Sequence, residues 1–399
     1  MEYQYREFVP SDLEGVLGVR NAIFAPITEQ DWHREAQMSA SLALDETGSI
    51  VGAIPLSFRD FRAGEGLILK TVFENAVGTR EELRGKGVGA QMISSAKNFL
   101  QGRCDALFLY RGAERSDGYR FYIKTGHQDL HYSRTFKLER PQKTGRGLST
   151  VKKGVEEILP KEPLLLEVFE SAFFGFGGFR ERGVGYYRFA LEGLIYAAHP
   201  HEFYIIEFEK NEVLQGYAIV GIRQKTKLDG SLHVMEFATR NRSLEVADEL
   251  FLAIADFASE KELSVTFATS DTSPYRSLLK AKGYDESERH QMVMTQILDY
   301  PALARKSWIP RDRLRGMEIK VWTPSRDFLL QEGSGISSKK ILLEMKDDIL
   351  GRLLNRRLRL KEAIAMELVT VLGADEMDIE EMAKALPYVP WIYHEIDYI

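Results

Sequence analysis

Apolar positions recur along this chain with two periods, and their order predicts mixed α/β units. Residues 1–140 carry short apolar or alternating runs that are typical of strands, followed by stretches with helical spacing. The predicted strands are 39–44, 50–58, 67–77 and 106–110, and the predicted helices are 90–100 and 118–124. The polar turn at 45–48 predicts a hairpin between the first two strands, and Gly126 is predicted to end the second helix.

A similar order of elements returns after 137–153, a charged segment with proline and glycine that we interpret as a linker. The second set of strands is predicted at 203–208, 214–222, 232–238, 263–268 and 290–298, with a helix at 244–261. A third, smaller α+β unit is predicted from strands at 317–322, 339–345 and 368–372 and helices at 347–355, 360–366 and 379–386. We therefore expect a duplicated α/β domain and a tail domain, with boundaries at 1–140, 141–300 and 301–399.

Composition narrows the class of protein. The 399 residues are 44% hydrophobic and 28% charged, as in folded globular proteins, and the formal charge of −6 leaves no basic stripe for nucleic acid. Cys104 is the only cysteine, which excludes an intrachain disulfide and a cysteine-based zinc site. The apolar stretch 163–179 is broken by glutamates and glycines, so we expect no membrane span and a cytoplasmic protein. The mildly acidic balance favours a cationic substrate.

A glycine-rich loop carries the strongest chemical signal. Arg84-Gly85-Lys86-Gly87-Val88-Gly89 lies between a predicted strand and a predicted helix. Backbone N–H groups at a helix N-terminus bind anions, and glycines allow phosphate oxygens to approach closely. The dinucleotide fingerprint and the P-loop both need a different spacing. The remaining alternatives are a pyrophosphate site and a basic turn without a ligand.

The context of this loop resembles the GNAT superfamily of acyl-CoA N-acyltransferases. The pattern [Q/R]-x-x-G-x-[G/A] follows the fourth strand, and Phe121-Tyr122-Ile123-Lys124-Thr125-Gly126-His127 resembles the second signature of the family. The resemblance implies that coenzyme A is bound by the loop, and its pantetheine arm by the splayed strand end. The implied binding residues are Val77, Gly78, Thr79, Arg84, Gly85, Lys86, Gly87, Val88, Gly89 and Ala90. Tyr122 is then a candidate to protonate the departing thiolate, and the alternative is a packed aromatic residue.

The second domain lacks an equivalent loop. At the matching position it reads Thr239-Arg240-Asn241-Arg242-Ser243-Leu244, without glycine. Arg180-Glu181-Arg182-Gly183-Val184-Gly185 fits the pattern but precedes the hairpin, so we interpret it as a chance match. We expect a degenerate second GNAT domain that binds no acyl-CoA.

The three-domain order resembles the enhanced-intracellular-survival (Eis-type) acetyltransferases, in which tandem GNAT domains precede a sterol-carrier-protein-like α+β domain. In those enzymes a tyrosine usually follows the motif glycine, whereas this chain has His127. The acid is therefore Tyr122 or His127. The resemblance also implies that the C-terminal residue, here Ile399, supplies its α-carboxylate as general base. A tail that only seals the third domain is equally compatible with the aromatic segment 388–399, which we expect to be packed.

The predicted function is transfer of an acetyl group from acetyl-CoA to a small cationic amine, such as a polyamine, an aminoglycoside or a lysine side chain. Glu74 is the other candidate base. We assign no metal, because the H-x-H spacing of His199 and His201 is a weak signal. The tail domain is interpreted as a wall of the active site, with a homo-oligomer contact as the alternative. A non-catalytic acyl-CoA sensor and a lipid-binding protein are the competing functions.

Overall fold

The computed structural model describes residues 2–24, 26–34, 38–111, 117–145, 149–194, 201–223, 230–335 and 338–397. The helices are α1 Leu13–Asn21, α2 Glu29–Arg34, α3 Val88–Leu100, α4 Asp117–Lys124, α5 Val155–Ile158, α6 Glu162–Phe173, α7 Tyr186–Leu194, α8 Leu244–Glu260, α9 Arg276–Ala281, α10 Tyr300–Ser307, α11 Asp347–Leu354, α12 Leu360–Ala365 and α13 Glu376–Ala385. The strands are β1 Gln4–Glu7, β2 Met38–Leu44, β3 Ile50–Gly64, β4 Leu67–Glu74, β5 Gly78–Thr79, β6 Ala106–Arg111, β7 Gln128–Leu138, β8 Thr150–Lys153, β9 Phe179–Arg180, β10 His201–Lys210, β11 Val213–Arg223, β12 Ser231–Thr239, β13 Ser264–Ser270, β14 Asp285–Ile297, β15 Glu318–Thr323, β16 Arg326–Gln331, β17 Lys340–Met345 and β18 Val369–Leu372.

The first two domains share one continuous sheet. Within the described residues it has 14 strands, in the order β1-β2-β3-β4-β6-β14-β7-β13-β12-β11-β10-β8, with β5 and β9 paired to β3. Helix α3 packs its apolar face, including Met92 and Ile93, on the strands of the first half. Helices α6, α7 and α8 cover the second half, whose core is the largest cluster of buried side chains. The mixed α/β class predicted from the sequence is confirmed.

The two domains exchange their last strands. Strand β14 of the second domain inserts between β6 and β7, with Val293 opposite Tyr110. Strand β7 of the first domain pairs in turn with β13, with Phe136 opposite Phe267. Phe136 thereby joins the core of the second domain. The predicted linker is shorter than expected at both ends, because β7 extends to Leu138 and β8 begins at Thr150.

The third domain is a separate four-stranded sheet, in the order β16-β15-β17-β18, covered by α10 to α13. The sequence predicted three of these strands and missed β16, which pairs with β15 through a register shift between Ile319 and Lys320. The small α+β domain is thus present. Its kinship to sterol carrier proteins stays a prediction.

The segment after α13 is packed, as predicted, and runs between the domains. Trp391 is fully buried, and its indole Nε1 donates a hydrogen bond to the Ala63 carbonyl at 3.0 Å. The Ile392 amide donates to the Gly177 carbonyl at 2.8 Å, so the segment contacts both the first and the second domain. None of the helices in the described part of the chain is long and apolar enough to span a membrane.

Candidate active site

Strand β4 separates from both of its neighbours at its C-terminal end. Its parallel ladder with β6 stops at Phe73 opposite Phe108, although β6 continues to Arg111 beside β14. Its antiparallel ladder with β3 stops at Glu74 and resumes only at Gly78, after Ala76 takes a left-handed φ of 52°. The strand predicted over 67–77 is therefore interrupted. The predicted pantetheine segment, from Val77 to Thr79, lies at this splayed end.

The glycine-rich loop leads directly into α3. Gly85 and Gly87 have φ values of 74° and 84°, a region that favours glycine, and a Cβ at either would meet no atom within 4 Å. Gly87 is the N-cap of α3, no side chain caps this helix, and its first turn contains no acidic residue. The first N–H groups of a helix have no partner within the helix. The exposed loop therefore presents free donors and the positive end of α3 to a ligand.

The N-terminal ends of α7 and α8 are occupied by the chain itself. The Glu162 carboxylate accepts hydrogen bonds from the amides of Gly185 at 2.8 Å and Tyr187 at 2.9 Å. The hydroxyl of Ser243 accepts one from the Val246 amide at the start of α8. The glycine motif at 180–185 thus holds an internal carboxylate instead of a ligand. Helix α3 differs from both because its N-terminal turn carries no internal cap.

The residues predicted to act as acid and base come together beside the splay. His127 and Glu74 have fully buried side chains, and the imidazole Nε2 lies 3.3 Å from the carboxylate Oε1 without hydrogen-bond geometry. The Thr125 hydroxyl donates to the Tyr122 carbonyl at 2.9 Å, so at 3.1 Å it is left to accept from His127 Nδ1. A neutral His127 with its proton on Nδ1 presents a bare Nε2 to Glu74. One further proton can therefore bind between these two groups.

Tyr122 is the more accessible member of this group. It is partly exposed on α4, and its ring lies edge-on to that of His127, with the centroids 5.4 Å apart. Helix α4 packs close to the glycine loop, since a Cβ on Gly89 would lie only 3.2 Å from the Phe121 ring. The phenol of Tyr122 and the N-terminus of α3 are thereby held in one region.

The exchanged strand β14 holds the loop that carries His127. The Gln296 side-chain amide donates to the Thr125 carbonyl at 2.7 Å. Gly126 ends α4 as predicted, with a φ of 94°, and a Cβ at this position would lie 2.6 Å from Gln296 Nε2. Sequence reasoning missed Gln296, because no local pattern links it to a loop 171 residues away.

Other predicted positions lie elsewhere or outside the described residues. Ile399, the candidate C-terminal base, and His199 lie outside them. Trp32 packs against Phe8 with ring centroids 5.3 Å apart, the ordinary structural role that was weighed for it. It also lines a separate cleft of about 1310 Å³ with His33.

A buried ionic network anchors the end of the described tail. Arg182 donates to Asp397 at 3.1 Å and pairs with Glu236, while the Tyr186 hydroxyl also donates to Asp397. Burial raises the pKa of Tyr186 well above its ordinary value, so the phenol stays a donor. Arg182 drew attention in the sequence for its glycine neighbours, but its actual partners are 54 and 215 residues away.

Comparisons with known proteins agree with this geometry. Residues 9–126 match the model of the Acetyltransferase (GNAT) family. The whole chain superposes on a GCN5-related N-acetyltransferase from Anabaena variabilis, with a TM-score of 0.70, 14% identity and 100% of both chains covered. A probable N-acyltransferase from Enterococcus faecalis gives 0.70 at 12% identity, covering 99% of this chain and 100% of that one. Eis1 from Mycobacterium abscessus gives 0.63 at 14% identity, covering 98% of each chain. No match was found among curated protein sequences. At these identities the superpositions show a shared fold.

Proposed function

We propose that this chain, whose residues 9–126 form a domain of the GNAT acetyltransferase family, transfers an acetyl group from acetyl-CoA to a primary amine. The family and fold support N-acetyltransferase activity. The choice of acetyl-CoA as donor and of a small cationic amine as acceptor is our proposal.

The open N-terminus of α3 is the observation that carries this proposal. Gly85 and Gly87 leave space on the loop, and α3 has no side-chain cap, whereas Glu162 and Ser243 occupy the corresponding positions of α7 and α8. An uncapped helix start beside Arg84 and Lys86 is suited to a pyrophosphate. We infer that residues 84–90 hold the pyrophosphate of acetyl-CoA and that residues 77–79 hold its pantetheine arm. Bound there, acetyl-CoA supplies an activated acetyl thioester.

The proposed reaction is direct attack by the amine. The neutral amine nitrogen forms a bond to the acetyl carbon, and the bond from that carbon to sulfur breaks. Backbone N–H groups at the splay, where Ala76 and Val77 lie outside the ladders of both neighbouring strands, polarise the carbonyl oxygen. The amine proton passes to the pair formed by Glu74 and His127, and the Tyr122 phenol gives its proton to the leaving thiolate.

The geometry favours Tyr122 over His127 as the acid. Both imidazole nitrogens of His127 face groups of the chain, Thr125 at 3.1 Å and Glu74 at 3.3 Å, and its side chain is fully buried. Tyr122 is partly exposed, so a ligand can reach it. We assign the acid role to Tyr122 and the base role to Glu74 acting with His127. The carboxylate of Ile399 remains the alternative base predicted from the sequence.

Release of free coenzyme A thiol tests the proposal. The purified protein is incubated with acetyl-CoA and a panel of primary amines, and a thiol reagent follows turnover. Cys104 will not add to the signal, because burial raises its pKa to about 12. Glu74→Gln should reduce turnover strongly, whereas the exposed Glu82→Gln should not.

Two outcomes would contradict the proposal in different ways. Acetyl-CoA binding without thiol release for any amine would favour the non-catalytic sensor. Failure to bind acetyl-CoA would refute both the transferase and the sensor.

A further inference from the structure

A cleft of about 1020 Å³ lies where the three domains meet. The first domain contributes the loop from Gly126 to Asp129, and the second contributes Asp271 and Thr272. The third domain contributes the start of α11 and the segment around Arg357. The cleft therefore borders the loop that carries His127.

The third-domain wall of this cleft carries three cations: Lys346, Arg352 and Arg357. Within the described residues, no carboxylate lies within 4 Å of any of their charged nitrogens, the distance that defines an ion pair here. Arg182, which is also buried, shows how the chain treats such a charge elsewhere, since it is paired with Glu236 and Asp397.

Arg357 is the most confined of the three. Its guanidinium donates to the Val389 carbonyl at 2.8 Å and to His131 Nδ1 at 3.1 Å, and it lies 3.5 Å from the Tyr388 hydroxyl. These acceptors are neutral. Burial, together with nearby Arg352, lowers the pKa of Arg357, and burial and Arg357 lower the pKa of His131 well below its ordinary value. A buried cation without a counter-ion is costly, which is the condition that an anionic ligand relieves.

Most of the acidic groups in the cleft are already satisfied by the chain. Asp129 accepts hydrogen bonds from the hydroxyls of Tyr119 at 3.1 Å and Tyr132 at 3.2 Å. Asp271 pairs with Arg134, and Asp347 pairs with Arg326 at 2.9 Å. Asp348 is exposed in the first turn of α11. The cations of the third-domain wall are thus the groups left to bind an external charge.

We propose that this cleft binds the anionic end of the acceptor, so that the acceptor carries both a primary amine and a carboxylate or phosphate, with Arg352 and Arg357 as the anion ligands. This inference rests on the proposed function and specifies its substrate class. The amine end lies toward the loop of His127, and the third domain thereby forms a wall that selects the acceptor.

Three amines with the same four-carbon chain test the substrate class. They are 4-aminobutanoate, 1-aminobutane and 1,4-diaminobutane, and 3-aminopropyl phosphate provides the phosphate arm. We expect the two anionic amines to have the highest kcat/KM. Arg352→Gln should lower their kcat/KM by about tenfold or more and leave that of 1-aminobutane nearly unchanged, because it loses a charge-assisted contact.

Arg359→Gln is the matched control, because Arg359 is an exposed arginine nearby that does not line the cleft and pairs with Glu362. It should leave all four values unchanged. A preference for 1,4-diaminobutane, or an equal loss for every amine in Arg352→Gln, would overturn the inference.

Calorimetry separates this inference from the proposed function. Inorganic phosphate and 4-aminobutanoate should bind the wild-type protein, and binding should be lost in Arg352→Gln, which does not remove the contacts of Arg357 to the tail. If no amine is acetylated, the proposed function fails, and the phosphate titration still decides whether the cleft is an anion site. Absence of anion binding to the wild-type protein would refute the site.

Discussion

Replacing Gly87 by aspartate changes the start of α3 in two ways that can be separated. Gly87 has a φ of 84°, so any side chain there adopts a left-handed conformation, which costs roughly 1–2 kcal/mol of folding stability. The position is exposed and a Cβ would meet no atom within 4 Å, so no steric clash adds to this cost. A modest fall in melting temperature is expected, with the fold retained.

The larger effect should fall on acetyl-CoA. The new carboxylate lies at the N-cap of α3, where we infer that the pyrophosphate is bound. At a separation of roughly 6 Å and an effective dielectric constant of about 20, one pair of like charges repels by about 3 kcal/mol. A loss of that size corresponds to a roughly 100-fold weaker Kd.

Gly102→Asp is the matched control. Gly102 follows the other end of α3, has a φ of 76°, is exposed, and also has nothing within 4 Å of an added Cβ. The strain and the added charge are therefore the same, but the site is distant from the loop. Isothermal titration calorimetry with acetyl-CoA should show a large loss for Gly87→Asp and near wild-type affinity for Gly102→Asp. Equal affinity of the two variants would refute the assignment of the loop as the pyrophosphate site.

Three further predictions concern the acid, the helix cap and the buried tail. Tyr122→Phe should lower kcat by about 10²–10⁴-fold at unchanged acetyl-CoA affinity; if it is silent while His127→Ala is not, the acid role moves to His127. Glu162→Gln should weaken the cap of α7 and cost about 1 kcal/mol in urea unfolding, with no change in acetyl-CoA affinity. Trp391→Ala should cost about 3–5 kcal/mol because it empties a fully buried site, whereas Trp322→Ala, at a position that is 46% exposed, should cost much less; similar losses would contradict the role of the tail in joining the domains.

Local signals in the sequence were enough to identify the cofactor loop and most elements around it. A glycine-rich turn before a helix is encoded by neighbouring residues, so the loop at 84–89 and the C-terminal stop at Gly126 could be recognised without a fold. The aromatic composition of 388–399 likewise predicted a packed segment, which is confirmed up to Asp397. The periodicity did not reveal the break at Ala76, because the apolar run continues through it.

Contacts between distant segments were decided only by the tertiary structure. The exchange of β7 and β14 leaves each strand with the same alternating pattern that it would have in its own domain, so periodicity cannot report it. Glu74 and His127 were separate candidates in the sequence, and only the sheet brings them to 3.3 Å. The cations of the cleft also look like ordinary surface charges when read singly, since a missing counter-ion is a property of the surrounding space. Local chemistry thus determined where coenzyme A is expected to bind, and packing between domains determined which groups face the acceptor.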